Sequence, residues 1–115
     1  MEDKLIELLN TFKYPVIRQG SLTENEPYPD TFFTFWNNDE YEETAYDNKT
    51  ASVVYDFDVN VYSTDPEKAY SLLRDARTLL KNNGFTPMSR GYDVMSDEKT
   101  HVGRGMNVIT LNYEN

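Results

Sequence analysis

The residues best suited to chemistry lie together at Asp56-Phe57-Asp58-Val59-Asn60, with Glu67 eleven positions beyond Asp56. Carboxylates and an amide at these intervals match positions one, three, five and twelve of an EF-hand calcium loop, where oxygen ligands wrap a hard cation. The sixth position of such a loop turns sharply and requires glycine, whereas this chain places the β-branched Val61 there. Pro66 and the alternation of apolar and polar residues through the segment also oppose a compact loop, so no metal site is expected. Asp56 and Asp58 could instead form an acid/base pair. On a strand their side chains would share one face roughly 7 Å apart, within the range of hydrolytic carboxylate pairs. Nothing nearby outlines a substrate pocket, and the solvated polar face of a strand accounts for both residues.

His101 is the sole histidine, so a metal site or a Ser-His-Asp arrangement would have to be built on it. It stands in a turn-like stretch beside Gly103 and Gly105, with Ser96 and Asp97 near only in sequence, and reads as a surface-loop histidine. Gly103-Arg104-Gly105 leads into a strand, while phosphate cradles open onto a helix. Asn48-Lys49-Thr50 satisfies the glycosylation pattern, which has no bearing without a secretion signal. There are no cysteines, which excludes disulfides, zinc–thiolate sites and thiol nucleophiles. No catalytic site and no cofactor are expected.

The 115 residues fit one α+β domain. A net charge of −9, with the 11 basic residues scattered, argues against direct contact with nucleic acid. The acidic start, with Glu7 interrupting its short apolar stretch, resembles neither a signal peptide nor a membrane helix, and no apolar run approaches the ~20 residues that span a bilayer. Aromatic residues make up 14% of the chain, nine of them tyrosine, a composition favoured both in strands and at protein interfaces.

The elements that must position these residues follow from periodicity. Leu5, Ile6, Leu8, Leu9 and Phe12 have helical spacing from Glu2 to Lys13, ended by Tyr14-Pro15. Val16 to Arg18 is a short strand, and residues 21–30 form a loop with two prolines. Thr31 to Trp36 is an aromatic strand with apolar groups on both faces. Asn37 to Asn48 is polar and acidic, either a long hairpin loop or the solvated end of a ribbon. Ser52 to Tyr62 alternates Val53, Tyr55, Phe57, Val59 and Val61 with a largely polar set, which predicts a strand covered on one side. Asp65 caps a helix with Pro66 at its first position, and the stripe Ala69, Leu72, Leu73, Ala76, Leu79 and Leu80 runs to a stop at Asn82-Asn83-Gly84. Phe85 to Met95 is an irregular edge strand or bulge because of Pro87 and Gly91, residues 97–99 turn, and Met106 to Tyr113 alternates again. The expected fold is an antiparallel sheet of about four to five strands with two helices packed on one face.

This layout resembles the phage tail-terminator family, also called tail-completion or head–tail joining proteins. The resemblance rests on the N-terminal helix, Tyr14-Pro15-Val16-Ile17, the entry Glu26-Pro27-Tyr28-Pro29 into an aromatic strand, and the acidic ribbon loop. The strand running directly into the Asp65-Pro66 helix and the ending Val108-Ile109-Thr110-Leu111-Asn112-Tyr113 complete it. It implies a structural virion protein that forms a ring, commonly a hexamer. Such a ring caps the head-proximal end of the tail tube and contacts the tube protein and the head connector, without binding nucleic acid or membrane. It also implies residence in the virion, with assembly in the host cytoplasm. The assembly surfaces expected are the acidic ribbon (Asp39, Glu40, Tyr41, Glu42, Glu43 and Asp47) and the aromatic strand from Phe32 to Trp36. A competing expectation is an acidic decoy that mimics DNA and blocks a host enzyme. A third is a small hydrolase using Asp56 and Asp58.

Overall fold

Asp65 and Pro66 begin the most regular element of the chain. Proline at the first helical position loses no hydrogen bond, and the Asp65 carboxylate accepts one from the Glu67 amide at 3.0 Å, satisfying a backbone donor that the helix itself cannot. Replacing Asp65 by alanine should cost about 1 kcal/mol, read as a lower urea midpoint at unchanged slope.

The computed structural model describes residues 1–21, 27–44 and 51–114. Its elements are α1 (Glu2–Asn10), β1 (Val16–Arg18), β2 (Thr31–Thr44), β3 (Ala51–Ser63), α2 (Pro66–Lys81), β4 (Phe85–Pro87), β5 (Tyr92–Val94) and β6 (Val102–Glu114). The strands form one sheet in the order β1-β2-β3-β6-β4, with β5 also paired to β6. The α+β class is as expected, but the sheet has six strands and is mixed. β1 runs parallel to β2, pairing Val16 with Phe33 and Arg18 with Phe35. The twelve residues between the two strands are enough for the chain to return in the same direction, which a tight hairpin cannot do.

Both helices lie on one face. Cross-strand rows such as Phe33–Val61, Phe35–Val59–Met106 and Phe57–Val108 present their side chains to Leu5 and Leu9 of α1 and to Ala69, Leu72, Leu73, Ala76 and Leu80 of α2. Each buried Phe or Leu contributes about 1.5–3 kcal/mol by leaving water, so this layer dominates the stability. α1 is shorter than its apolar spacing predicts. Its last amides turn back to carbonyls three residues away, and Lys13 takes a left-handed φ of 66°, so the chain leaves the helix before reaching Tyr14-Pro15. The segment from Phe85 to Met95 divides into two short strands about Gly91 (φ 122°), both paired to β6.

The acidic stretch after Trp36 is the ribbon end of β2. It pairs with β3 from Asp39–Asp56 to Thr44–Ala51, after a bulge at Asn38. Beyond the Phe85–Thr110 pair, strands β2, β3 and β6 continue for four more rows, about 14 Å. The molecule is correspondingly elongated, 53 × 28 × 22 Å.

Candidate assembly ribbon and aromatic cleft

The face away from the helices is built in cross-strand rows: Phe32–Tyr62–Gly103, Thr34–Asn60–Gly105, Trp36–Asp58–Asn107, Asp39–Asp56–Ile109 and Tyr41–Val54–Leu111. It was expected to be polar and open, but one end is covered. Phe32 stacks on Tyr62 with ring centres 5.4 Å apart, and Tyr28 meets it edge-on at 5.6 Å. His101 closes this second, smaller core. It is only 9% exposed, its Nε2 bonds the Pro29 carbonyl at 2.8 Å, and its Nδ1 bonds Thr100 Oγ1 at 2.9 Å. The surface-loop reading of His101 is therefore wrong. Nε2 ties the 100–101 turn to the chain entering β2, a partner 72 residues away that local sequence cannot reveal, while Nδ1 is held within the turn by Thr100.

Phe32 belongs to this core at 1% exposure, whereas Trp36, four residues on, is 45% exposed. The glycines of Gly103-Arg104-Gly105 serve the same packing. A Cβ on Gly103 would lie 2.6 Å from Val94 Cγ2, so β5 can close over β6 only because no side chain intervenes. Arg104 points to the helix face, with its guanidinium 4.9 Å from the Tyr70 ring centre and 3.0 Å from Asp93.

Asp56 and Asp58 lie on the inner strand β3, paired on both sides, so the stretch beginning at Asp56 does not wrap an ion as a calcium loop would. Asn107 donates through Nδ2 to both carboxylates and to the Phe57 carbonyl, and Asn38, the bulged residue, donates to Asp56 at 3.3 Å. Among the described residues no group of three or more histidines and carboxylates is placed to hold a metal.

Two tyrosines on this face resist ionisation. Burial raises the pKa of Tyr62 above the ordinary 10, Asp97 adds to the effect, and a hydrogen bond from Asn60 opposes it. The Thr34 hydroxyl also favours the ionised form but makes no hydrogen bond of ordinary geometry. Tyr92 is shifted the same way, by partial burial and then by Asp58 and Asp56. A group kept protonated by folding contributes its full stability below the unfolded pKa and loses it as pH rises through the folded one. Stability should therefore decline above about pH 10, with tyrosinate absorbance lagging that of the unfolded chain. Tyr62→Phe should remove part of that alkaline slope.

At the other end of the face the ribbon is open. Among the described residues no strand pairs with the outer edge of β2 beyond Phe35 or with that of β6 beyond Thr110. Tyr41 and Leu111 are exposed on either side of the buried Val54. Of the ribbon acids, Asp39 and Glu43 share the face of Tyr41, and Glu40 and Glu42 point to the opposite face. Asp47 lies outside the described residues, as do Glu26 and Asn48-Lys49-Thr50. No described helix is long and apolar enough to cross a membrane. The chain matches no protein-family model and no curated protein.

Proposed function

We propose that this protein is a non-catalytic assembly component that self-associates through its projecting ribbon. In this reading it forms a ring at the head-proximal end of a phage or prophage tail, between the tube protein and the head connector. The observation that carries the reading is the ribbon itself: three long strands extend past the last pair with β4 and, among the described residues, both outer edges there are unpaired. An unpaired edge is a ready template for another chain. Here it is bulged at Asn38 and lined by carboxylates, features that suppress pairing with any neutral or acidic strand and leave a basic partner favoured.

The chain carries such a surface on another element. β2 contains Asp39, Glu40, Glu42 and Glu43 and no basic residue, whereas α2 carries Arg74, Arg77 and Lys81 along one side, with Lys68 on the other, against Glu67 and Asp75. Two different patches of opposite sign support a head-to-tail contact between copies, the kind that closes into a ring when its rotation permits. The resemblance to tail terminators supplies the station in the virion. Electron microscopy of lysates lacking this gene tests it: overlong or headless tails are expected, and tails of normal length joined to heads would contradict the proposal.

A further inference from the structure

A cleft of about 190 Å³ opens on the outer face where the aromatic cluster meets β1. Its floor and walls are Ile17, Phe32, Thr34 and Tyr62, with Tyr28 on one side and the 95–97 turn on the other. The volume is below the roughly 300–1,000 Å³ of sites that enclose whole small molecules, and suits a group the size of one side chain.

Among the described residues, the charges that reach the cleft have one sign. Arg18 borders it only through its backbone side of the strand: its guanidinium lies over Phe35, 5.6 Å from the ring centre on the helix face, and is ion-paired with Glu2. His101, behind Phe32, has both nitrogens bonded. Among the described residues what remains is the Asp97 carboxylate at the mouth, the Tyr62 hydroxyl and the partly exposed rings of Tyr28 and Tyr62. A carboxylate beside partly exposed tyrosine rings, in a small and largely polar cleft, attracts cations and repels anions. The −9 net charge of the chain acts in the same direction at longer range. Met95, at the rim, is 93% exposed, an apolar side chain positioned to cover the stem of whatever enters.

We propose that this cleft binds a cation with an apolar stem, the ammonium or guanidinium end of a lysine or arginine side chain or a small free amine, held by Tyr28, Tyr62 and Asp97 over a floor that includes the buried Phe32. The site is independent of the ribbon contact and does not require that reading. The test is a ¹H–¹⁵N chemical-shift titration of the full chain with N-acetyl-lysine methylamide, N-acetyl-arginine methylamide, tetramethylammonium and, as an uncharged control, N-acetyl-norleucine methylamide. The cationic probes should give saturable shifts at Tyr28, Thr34, Tyr62 and Asp97, and the norleucine probe should not saturate. Tighter binding of the peptidyl probes than of tetramethylammonium identifies the side chain of a protein partner as the ligand; the reverse order identifies a free amine. Asp97→Asn, at an exposed turn, should weaken the cationic probes about two- to fivefold. Equal binding of the norleucine probe, no saturable shift with any cation, or an unchanged affinity in Asp97→Asn would each overturn the proposal.

Discussion

Replacing Glu40, Glu42 and Glu43 together by lysine is expected to abolish self-association while leaving the fold intact. All three side chains are exposed on the ribbon of β2, away from the layer formed by α1, α2 and the sheet, and their substitution removes no buried contact. Among the described residues the interaction lost is the exposed hydrogen bond that Glu40 accepts from Asn37. A single surface ion pair contributes only a few tenths of a kcal/mol. Reversing three charges removes three attractions and introduces three repulsions, which together weaken association about a hundredfold. Sedimentation velocity should show monomer, with circular dichroism and the urea midpoint close to those of the parent chain. Reversing Arg74, Arg77 and Lys81 to glutamate in the same molecule should restore the oligomer, because the attraction is then re-formed with opposite polarity. Continued assembly of the ribbon variant, or failure of the compensating variant to rescue it, would exclude α2 as the docking face.

Gly103→Ala is the point substitution expected to damage the fold most for its size. The added methyl would sit 2.8 Å from the Val94 carbonyl oxygen and 2.8 Å from Tyr62 Cε1 as well as against the Val94 side chain. Side chains can rotate, but the carbonyl belongs to the β5 backbone paired with Gly103 itself, so the strand must move away. Overpacking of this kind costs about 1–3 kcal/mol, and displacement of β5 also loosens the cover over Tyr62. The urea midpoint should fall accordingly, and the Tyr62 ionisation should move back toward the ordinary tyrosine range. An unchanged midpoint would mean that β5 does not close on β6 in solution.

The features legible in the sequence were those written in local periodicity. The Val53–Val61 alternation, the α2 stripe and the Asp65-Pro66 start each depend on spacing within one element, and each appears where the spacing places it. Features that depend on distant partners were not legible. Val16–Arg18 was readable as a strand, but its parallel pairing to β2 depends on the course of the chain between them. Residues 39–44 carry acids that disfavour a strand, and they are extended because β3 supplies a partner for every one of them. His101 reads as a surface residue because it stands in a turn-like stretch beside Gly103 and Gly105, whereas its burial comes from Pro29, Tyr28 and Phe32. The glycines at 103 and 105 were read for phosphate chemistry and set aside because they lead into a strand. Their role, admitting β5, becomes visible only once the two strands are paired. Of the expected assembly residues, the structure presents Trp36, Tyr41, Asp39, Glu40, Glu42 and Glu43 to solvent and buries Phe32 in a second core, while Asp47 lies outside the described residues.

The central claim is self-association through a charged, projecting ribbon, and sedimentation equilibrium of the unmodified chain at two ionic strengths tests it most directly. At about 50 mM salt a single closed oligomer of defined mass is expected, dissociating toward monomer near 1 M salt, where screening shortens to about 3 Å. A chain that remains monomeric at high protein concentration in low salt would contradict the claim.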